Sequence, residues 1–503
     1  MFLLRHALLF PLLACSIGAQ DRPPNIVFIL IDDYGWRDTG YNGSTFYETP
    51  NIDRLARSAM VFSDGYSASP VCSPTRAAIM TGRYPARLHV TAHLQGASNR
   101  FHFTRVIQPN ARLALPLEEI TIAELLRRRG YRTAAIGKWH LGTRGFLPSD
   151  QGFDLALGGD EAGSTSSFFY PGWLKKIPLE GEKGDYLTDR LTDLAVRFIR
   201  ENRQRPFFLY LAHFAVHTPI EGKPDKVRRY DAKSRAERSP RGGAPPAQRP
   251  HVIDPRERSQ MFPGQNPQNY GEYAAMIESV DESVGRVLAA LRDAGVDDTT
   301  MVVFTADNGG VTSREWKNRP ITSNLPLRSG KGHLYEGGIR VPAIVRWPGV
   351  TRPGCTTGEP ILSIDYAPTL AEAAGIRTSE LPPMDGRSFI PALRGEASAV
   401  REIFWHYPHY SPQLGRPSAA MRRGDDKLIL FFEDDHVELY NLRNDIGESN
   451  DLAASQPAKA AAMKRRLKEW LEETSAQLPT PNPNHDPSRE REPGAPTGPT
   501  TAK

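Results

Sequence analysis

Apolar residues along this chain gather in short unbroken runs. Ile26 to Ile31, Thr133 to Ile136, Phe207 to Ala212 and Met301 to Phe304 are each of strand length, and their continuous apolar character predicts strands buried on both faces of a parallel sheet. Helices fit between them. Thr121-Ile122-Ala123-Glu124 reads as a capping box opening a helix that closes at Gly130, and Tyr273 to Ala294 carries apolar residues at helical spacing. Strands alternating with helices predict an α/β fold in which a large, mostly parallel sheet lies between helices.

Elsewhere the pattern changes. Residues 1–19 combine Arg5 and His6 with the apolar run from Ala7 to Ala14, which predicts a signal peptide and export to the periplasm or beyond. Leu12-Leu13-Ala14-Cys15 loosely matches a lipobox, so lipid anchoring at Cys15 is the alternative. Within a main domain over residues 20–375, residues 221–269 are rich in Arg, Lys, Pro, Gly and Gln and lack apolar periodicity, which predicts an exposed basic insertion. After Gly375, the runs Glu402 to Trp405, Lys427 to Phe432 and Glu438 to Leu442 predict a small α+β subdomain, residues 376–478, with an antiparallel sheet and a closing helix from Pro457 to Leu478. Residues 479–503, rich in Pro, Thr and Asn, predict a disordered tail.

Composition narrows the class. Among 503 residues, 39% are hydrophobic and 24% charged, ordinary usage that excludes a wholly disordered, fibrous or membrane-embedded chain. The net charge of +5 is small for this length and no nucleic-acid motif accompanies it, so no nucleic-acid partner is expected. Without Cys15 only Cys72 and Cys355 remain, which excludes a disulfide framework. Cys355 reads as an inert, buried small hydrophobe.

The apolar runs end in polar residues: Asp32-Asp33, Lys138-Trp139-His140, His213 to His217, and Asp307-Asn308. An open α/β sheet forms its ligand crevice along such an edge. Asp32-Asp33 would be costly there as an unpaired acidic pair. Together with Asp307 and Asn308 it offers only oxygen donors, which favours Ca2+ or Mg2+ over zinc.

Cys72 sits in Cys72-Ser73-Pro74-Thr75-Arg76-Ala77-Ala78-Ile79-Met80-Thr81-Gly82-Arg83, which resembles the signature of the type I, formylglycine-dependent sulfatases. Gly137-Lys138-Trp139-His140-Leu141-Gly142, Ala215-Val216-His217-Thr218-Pro219, Ser329-Gly330-Lys331-Gly332 and Glu336 to Pro342 resemble further blocks of that family, and the resemblance runs from about Asn25 to Leu452. It implies an alkaline-phosphatase-like fold and a sulfuric ester hydrolase. It also implies that a maturation enzyme oxidises Cys72 to Cα-formylglycine, whose hydrate attacks sulfur with one hydroxyl and expels sulfate with the other. Asp32, Asp33, Asp307, Asn308 and the oxygen at Cys72 would then hold Ca2+ or Mg2+, between which the ligands do not choose. Arg76 would hold the diol oxygens, Lys138 would face sulfate, and His140 would meet the formylglycine hydroxyl and assist release. His217 and Lys331 would contact sulfate and the leaving-group oxygen, with His217 favoured as general acid, and Asp307 would double as the base that activates the diol.

Family members with similar C-terminal segments are often exo-acting on sulfated sugars, and Trp405-His406-Tyr407-Pro408-His409-Tyr410 resembles a sugar-facing loop of such enzymes. His406, His409 and Arg422 are therefore the candidate substrate-binding residues. The resemblance favours a galactose or N-acetylgalactosamine sulfate of a glycosaminoglycan or algal galactan. Two alternatives stay open: hydrolysis of phosphonate monoesters or phosphodiesters on the same fold, and a non-catalytic glycan-binding protein.

Overall fold

A computed structural model of the chain describes residues 22–94, 102–237, 268–313, 316–317, 320–397 and 399–490. The expected signal segment with Cys15 lies outside the described residues, as do residues 238–267 of the expected insertion and 491–503 of the expected tail.

The four apolar runs all become strands of one mixed sheet. In chain order its strands are β1 (Asn25–Ile31), β2 (Met60–Phe62), β3 (Arg132–Gly137), β4 (Leu155–Leu157), β5 (Phe207–Ala212), β6 (Thr300–Ala306), β7 (Ala343–Arg346) and β8 (Cys355–Thr357), and in space they follow the order β8-β2-β7-β6-β1-β5-β3-β4. β1 pairs in parallel with β5 and β6, and β3 in parallel with β5 and β4; β7 runs antiparallel to β6 and β2. Alternate residues of each central strand enter different cores. Val27, Ile29 and Ile31 join one cluster with Leu209 and Leu211, and Ile26, Phe28 and Leu30 join the other with Phe208 and Tyr210. That two-sided burial is why these strands read as unbroken apolar runs.

Among the helices are α1 (Cys72–Thr81), α2 (Ile122–Arg128), α3 (Leu187–Asn202), α4 (Pro224–Glu237), α5 (Gly271–Asp293), α6 (Tyr366–Ala373) and α7 (Pro457–Glu473). α3 and α5 cover the Val27 face, and α2 and α6 the Ile26 face. The capping box of α2 is present: the Glu124 backbone N–H donates to Thr121 Oγ1 at 3.2 Å, and the Thr121 N–H donates to Glu124 Oε2 at 2.8 Å.

The C-terminal sheet is antiparallel, β9 (Glu402–Tyr407), β10 (Ser418–Arg423), β11 (Asp426–Phe431) and β12 (Val437–Asn441) in that order. β10 went unforeseen because Ala419, Ala420 and Met421 supply burial without β-branched or aromatic character. The sheet shares one core with α7 and with Tyr66, Ala68 and Val71, and α1 joins that core through Ala78.

Three expectations are corrected. The first part of the expected exposed insertion is helix α4, docked on α5 through buried Tyr230 and through Lys226, whose ammonium lies 2.6 Å from Glu282. Few apolar anchors suffice there, which is why the sequence shows no periodicity. The tail is ordered at least to Glu490. Thr480 and Pro481 pair with Ile107 and Val106, the Asn482 side chain donates to the carbonyls of His102 and Thr104, and the Arg489 guanidinium stacks 3.6 Å over Phe103. A strap held by hydrogen bonds leaves no hydropathy signal. Truncation after Leu478 is expected to lower stability by about 1–3 kcal/mol, read as a lower unfolding midpoint in urea. Cys355, expected to be buried, is only half-buried on the edge strand β8.

Candidate active site

β1, β3, β5 and β6 all end at one edge of the sheet, and their parallel pairing brings residues far apart in sequence into contact. Asp32-Asp33 follows β1, Lys138 follows β3, His213 to His217 follow β5, and Asp307-Asn308 follow β6. Cys72 reaches the same place as the first residue of α1, fully buried, with Thr75 tied back to Ser69 by two hydrogen bonds of 3.1 Å.

Each cation has a carboxylate. Lys138 Nζ lies 2.6 Å from Asp32 Oδ2, Arg76 Nε donates to Asp307 Oδ2 at 2.9 Å, and Lys331 Nζ lies 2.8 Å from Asp33 Oδ2. Arg76 also donates to the Lys138 carbonyl at 2.8 Å, which joins α1 to the end of β3. Asn308 donates to Asp33 Oδ1 at 2.8 Å, and the Asp33 N–H to Asp307 Oδ1 at 3.2 Å. The cluster is therefore one closed polar network, buried except for the partly exposed His217.

Burial and the balance of charges set the protonation states. Burial, reinforced by Asp307, pushes Asp32 up to about 7 against the pull of Lys138. Burial acts likewise on Asp33, but Lys331 and His217 outweigh it and hold that carboxyl well below the usual range. The Cys72 thiol is pushed far up by burial and then by Asp32, to which it donates at 3.4 Å. As an ordinary cysteine it is held as a thiol and is a poor nucleophile.

The two histidines are neutral. His140 is held well below its ordinary value by burial and by Lys138. Its Nε2 lies 3.2 Å from the Leu94 carbonyl, which can only accept, so Nε2 carries the hydrogen and Nδ1 is left as a bare, buried acceptor without a partner among the described residues. His217 is lowered to about 3 by burial and Lys331, partly offset by Asp33; its Nδ1 lies 2.9 Å from the Thr218 carbonyl and its Nε2 3.5 Å from Asp33.

A hard divalent cation fits this cluster. Asp32, Asp33, Cys72 and His217 each place one ligand atom within 4.8 Å of the others. The Asn308 Oδ1 is buried with no partner among the described residues, and Asp32 lacks enough compensating charge to ionise normally. An added positive charge facing these oxygens answers both.

The structure thus brings together Cys72, Arg76, Lys138, His140, His217, Lys331, Asp32, Asp33, Asp307 and Asn308. It does not bring the sugar-binding candidates into contact with them. His406 is buried, bonded to the Gln477 carbonyl at 2.9 Å and set edge-on against Phe432. Arg422 is buried in an ion pair of 2.6 Å with Asp64 and bonds the Tyr66 hydroxyl. His409, also buried, bonds Thr91 Oγ1 at 2.8 Å. His406 and Arg422 are corrected to packing residues, because neither has surface left for a ligand. His409 supports the segment that carries Thr91 and Leu94, and hence His140.

One contributor went unforeseen. A Cβ on Gly163 would lie 2.5 Å from His140 Cε1, so the bare α-carbon lets the loop close over the imidazole. The run Gly158-Gly159-Asp160-Glu161-Ala162-Gly163 signals only a loop, but its glycine content marks a close approach. Gly163→Ala is expected to lower kcat by about 10-fold or more by displacing His140. An unchanged kcat would disprove this contact's importance.

The sulfatase family model matches residues 24–376, and the model of the N-sulphoglucosamine sulphohydrolase C-terminal region matches residues 329–477. A sulfatase of Formosa agariphila is 32% identical, over 93% of this chain and 93% of its own. N-acetylgalactosamine-6-sulfatase of Mus musculus is 32% identical, over 76% of this chain and 69% of its own. Among solved structures, Ps i-CgsB in complex with k-i-k-neocarrahexaose superposes with a TM-score of 0.70 at 30% identity, covering 93% of this chain and 96% of that one.

Proposed function

Because this chain belongs to the sulfatase family, whose members hydrolyse sulfate esters, we propose that it removes sulfate from a galactose or N-acetylgalactosamine sulfate, acting from the end of a glycan and through a nucleophile made from Cys72. The observation that carries this reading is the buried Cys72 side chain, bonded to Asp32 and set in a cluster that holds Lys138 and Lys331 against carboxylates. An unmodified thiol has no role there, whereas an oxygen nucleophile derived from it does. The galactose-type substrate is supported by likeness to N-acetylgalactosamine-6-sulfatase and to a structure holding neocarrahexaose.

Asp32, Asp33, Asp307 and Asn308 would hold Ca2+ or Mg2+ together with the oxygen at Cys72; when bound, the ion supplies Lewis-acid polarisation of sulfate and nucleophile. Lys138 and Lys331 bind the anionic sulfate. Arg76 orients the nucleophile and locks Asp307 in place. His140, with its bare Nδ1, takes up a proton as sulfate departs. The proton for the leaving oxygen is assigned to Lys331, which pairs with Asp33 as an ammonium; His217 takes that role only if bound sulfate offsets the two lysines and raises its proton affinity. Export and the maturation of Cys72 in the producing cell belong to the same proposal.

The test is a panel of sulfated monosaccharides and oligosaccharides incubated with the full chain, with and without a chelator. Sulfate release from galactose-type sulfates, lost on chelation and restored by Ca2+ or Mg2+, is the expected result. Turnover confined to aryl or glucosamine sulfates would sink the substrate assignment, and phosphodiester cleavage without sulfate release would sink the sulfatase mechanism.

A further inference from the structure

Asn324 lies in the irregular segment between β6 and β7, almost fully buried, and takes no part in the polar network described above. Its Nδ2 amide donates toward three carbonyl oxygens: Gly310 at 3.0 Å, Ser329 at 3.1 Å and Gly337 at 3.0 Å. Two amide hydrogens shared among three acceptors make a junction that no hydroxyl or carboxylate reproduces. Its Oδ1 has no partner among the described residues and lies 2.5 Å from where a Cβ on Gly35 would be. One side chain therefore touches the loop after Asp32-Asp33, the loop after Asp307-Asn308, and both ends of the segment that carries Lys331.

These loops do not depend on it equally. Asp32, Asp33, Asp307 and Asn308 continue directly from strands paired on both sides, and the Asp307 N–H also bonds the Ile31 carbonyl at 3.2 Å. The segment from Ser329 to Gly332 belongs to no strand or helix. It holds Ser329 at φ 58° and Gly332 at φ 85°. A left-handed serine is strained and persists only where its surroundings hold it. The surroundings here are Asn324 on the Ser329 carbonyl, the Lys331 N–H on the Gly310 carbonyl at 3.2 Å, and the Gly332 N–H on the Pro70 carbonyl at 2.9 Å, two residues before Cys72.

We propose that Asn324 is a positioning residue acting through Lys331: by fastening Ser329 and Gly337 to Gly310 it holds the Lys331 ammonium beside Asp33, where it meets the leaving-group oxygen. The inference rests on the sulfatase reading above. A lysine side chain has four rotatable carbons, so its ammonium is no better placed than the backbone turn from which it springs. A shift of about 1 Å at that atom is enough to cost proton delivery about 100-fold. Sulfate binding, shared with Lys138, is affected far less.

The test compares wild type, Asn324→Ala, Lys331→Ala and the double variant on a sulfated sugar and on nitrophenyl sulfate, whose leaving group needs no proton. For Asn324→Ala, kcat on the sugar sulfate is expected to fall by about 100-fold, and on nitrophenyl sulfate by less than about 3-fold, with KM little changed. In the Lys331→Ala background, adding Asn324→Ala is expected to change kcat on the sugar sulfate by less than about 3-fold, the non-additivity of a residue that works through another. Equal losses on both esters, or losses that multiply in the double variant, would overturn the proposal. If Asn324→Ala does not fold, Asn324→Ser keeps one donor hydrogen and should show the same split between esters at smaller amplitude; no split there overturns the proposal equally. Failure of the underlying reading is distinct: the wild type would release sulfate from neither ester.

Discussion

Cys72→Ala is expected to abolish sulfate release, lowering kcat by about 10^4-fold or more, with little change in unfolding midpoint. The side chain is small and sits at the first position of α1, where alanine is tolerated, so the fold does not depend on it. Its neighbours would remain: Lys138 on Asp32, Arg76 on Asp307 and Lys331 on Asp33 all pair without help from the thiol. The loss would thus be chemical. Cys72→Ser separates two explanations, since a hydroxyl of similar size restores an oxygen but not an aldehyde hydrate; it is expected to recover at most a small fraction of activity. Mass spectrometry of the Cys72 peptide from active protein should show a side chain that has exchanged its thiol for an aldehyde oxygen. Full activity in the alanine variant, or an unmodified peptide from a fully active preparation, would refute the mechanism.

The largest loss of stability is expected from Lys427→Met. Lys427 is completely buried in β11, with its ammonium 2.9 Å from Glu336 Oε1 and 2.7 Å from Glu448 Oε1. Glu336 also takes Arg340 at 2.6 Å and the Tyr66 hydroxyl at 2.8 Å, while Glu448 accepts the Glu336 N–H at 2.7 Å. Removing the central cation leaves two carboxylates facing each other away from water, at a cost of about 3–5 kcal/mol. The pH dependence follows from the same charges. Burial would raise Glu336, but Lys427 and Arg340 outweigh it and keep it ionised. Burial and the adjacent Glu336 raise Glu448 to about 7 despite Lys427. A carboxyl raised in the folded state binds more protons there than in the unfolded chain, so its contribution to stability falls as pH rises from its ordinary value through about 7. Without Lys427 that slope should steepen, and the variant should recover part of its stability at about pH 6 relative to about pH 8. Urea unfolding at both values checks it; equal stability at both would show that Glu448 does not titrate in this range.

The central architecture was legible because its physics is local. A strand covered on both faces must be apolar throughout, and β1, β3, β5 and β6 show it. β2, β4, β7 and β8 are patterns of three or four residues, too short to separate from chance, and only pairing with neighbours makes them strands. The site divides in the same way. Asp32, Cys72, Lys138, His217, Asp307 and Lys331 stand out in local motifs, yet that Lys138 should pair with Asp32 and Arg76 with Asp307 depends on strand order. His406 and Arg422 show the converse failure. Aromatic, histidine and arginine side chains build ligand pockets and buried interfaces alike, and only contacts such as Arg422 on Asp64 tell which is present. Gly163 and Asn324 matter through what lies across from them, which no spacing records.

The burial of Cys72 also fixes an order of events. Its side chain lies at the start of a helix whose every residue is buried, and it faces the polar network through Asp32. A modifying enzyme that must close around that sulfur finds it covered once the chain has folded. Any catalyst that rewrites this residue must act while the chain is still open, and a molecule that closes first is left with a thiol for as long as it stays folded. Two populations of the same sequence, one competent and one inert, would then arise in a ratio set by a race between modification and folding rather than by any equilibrium.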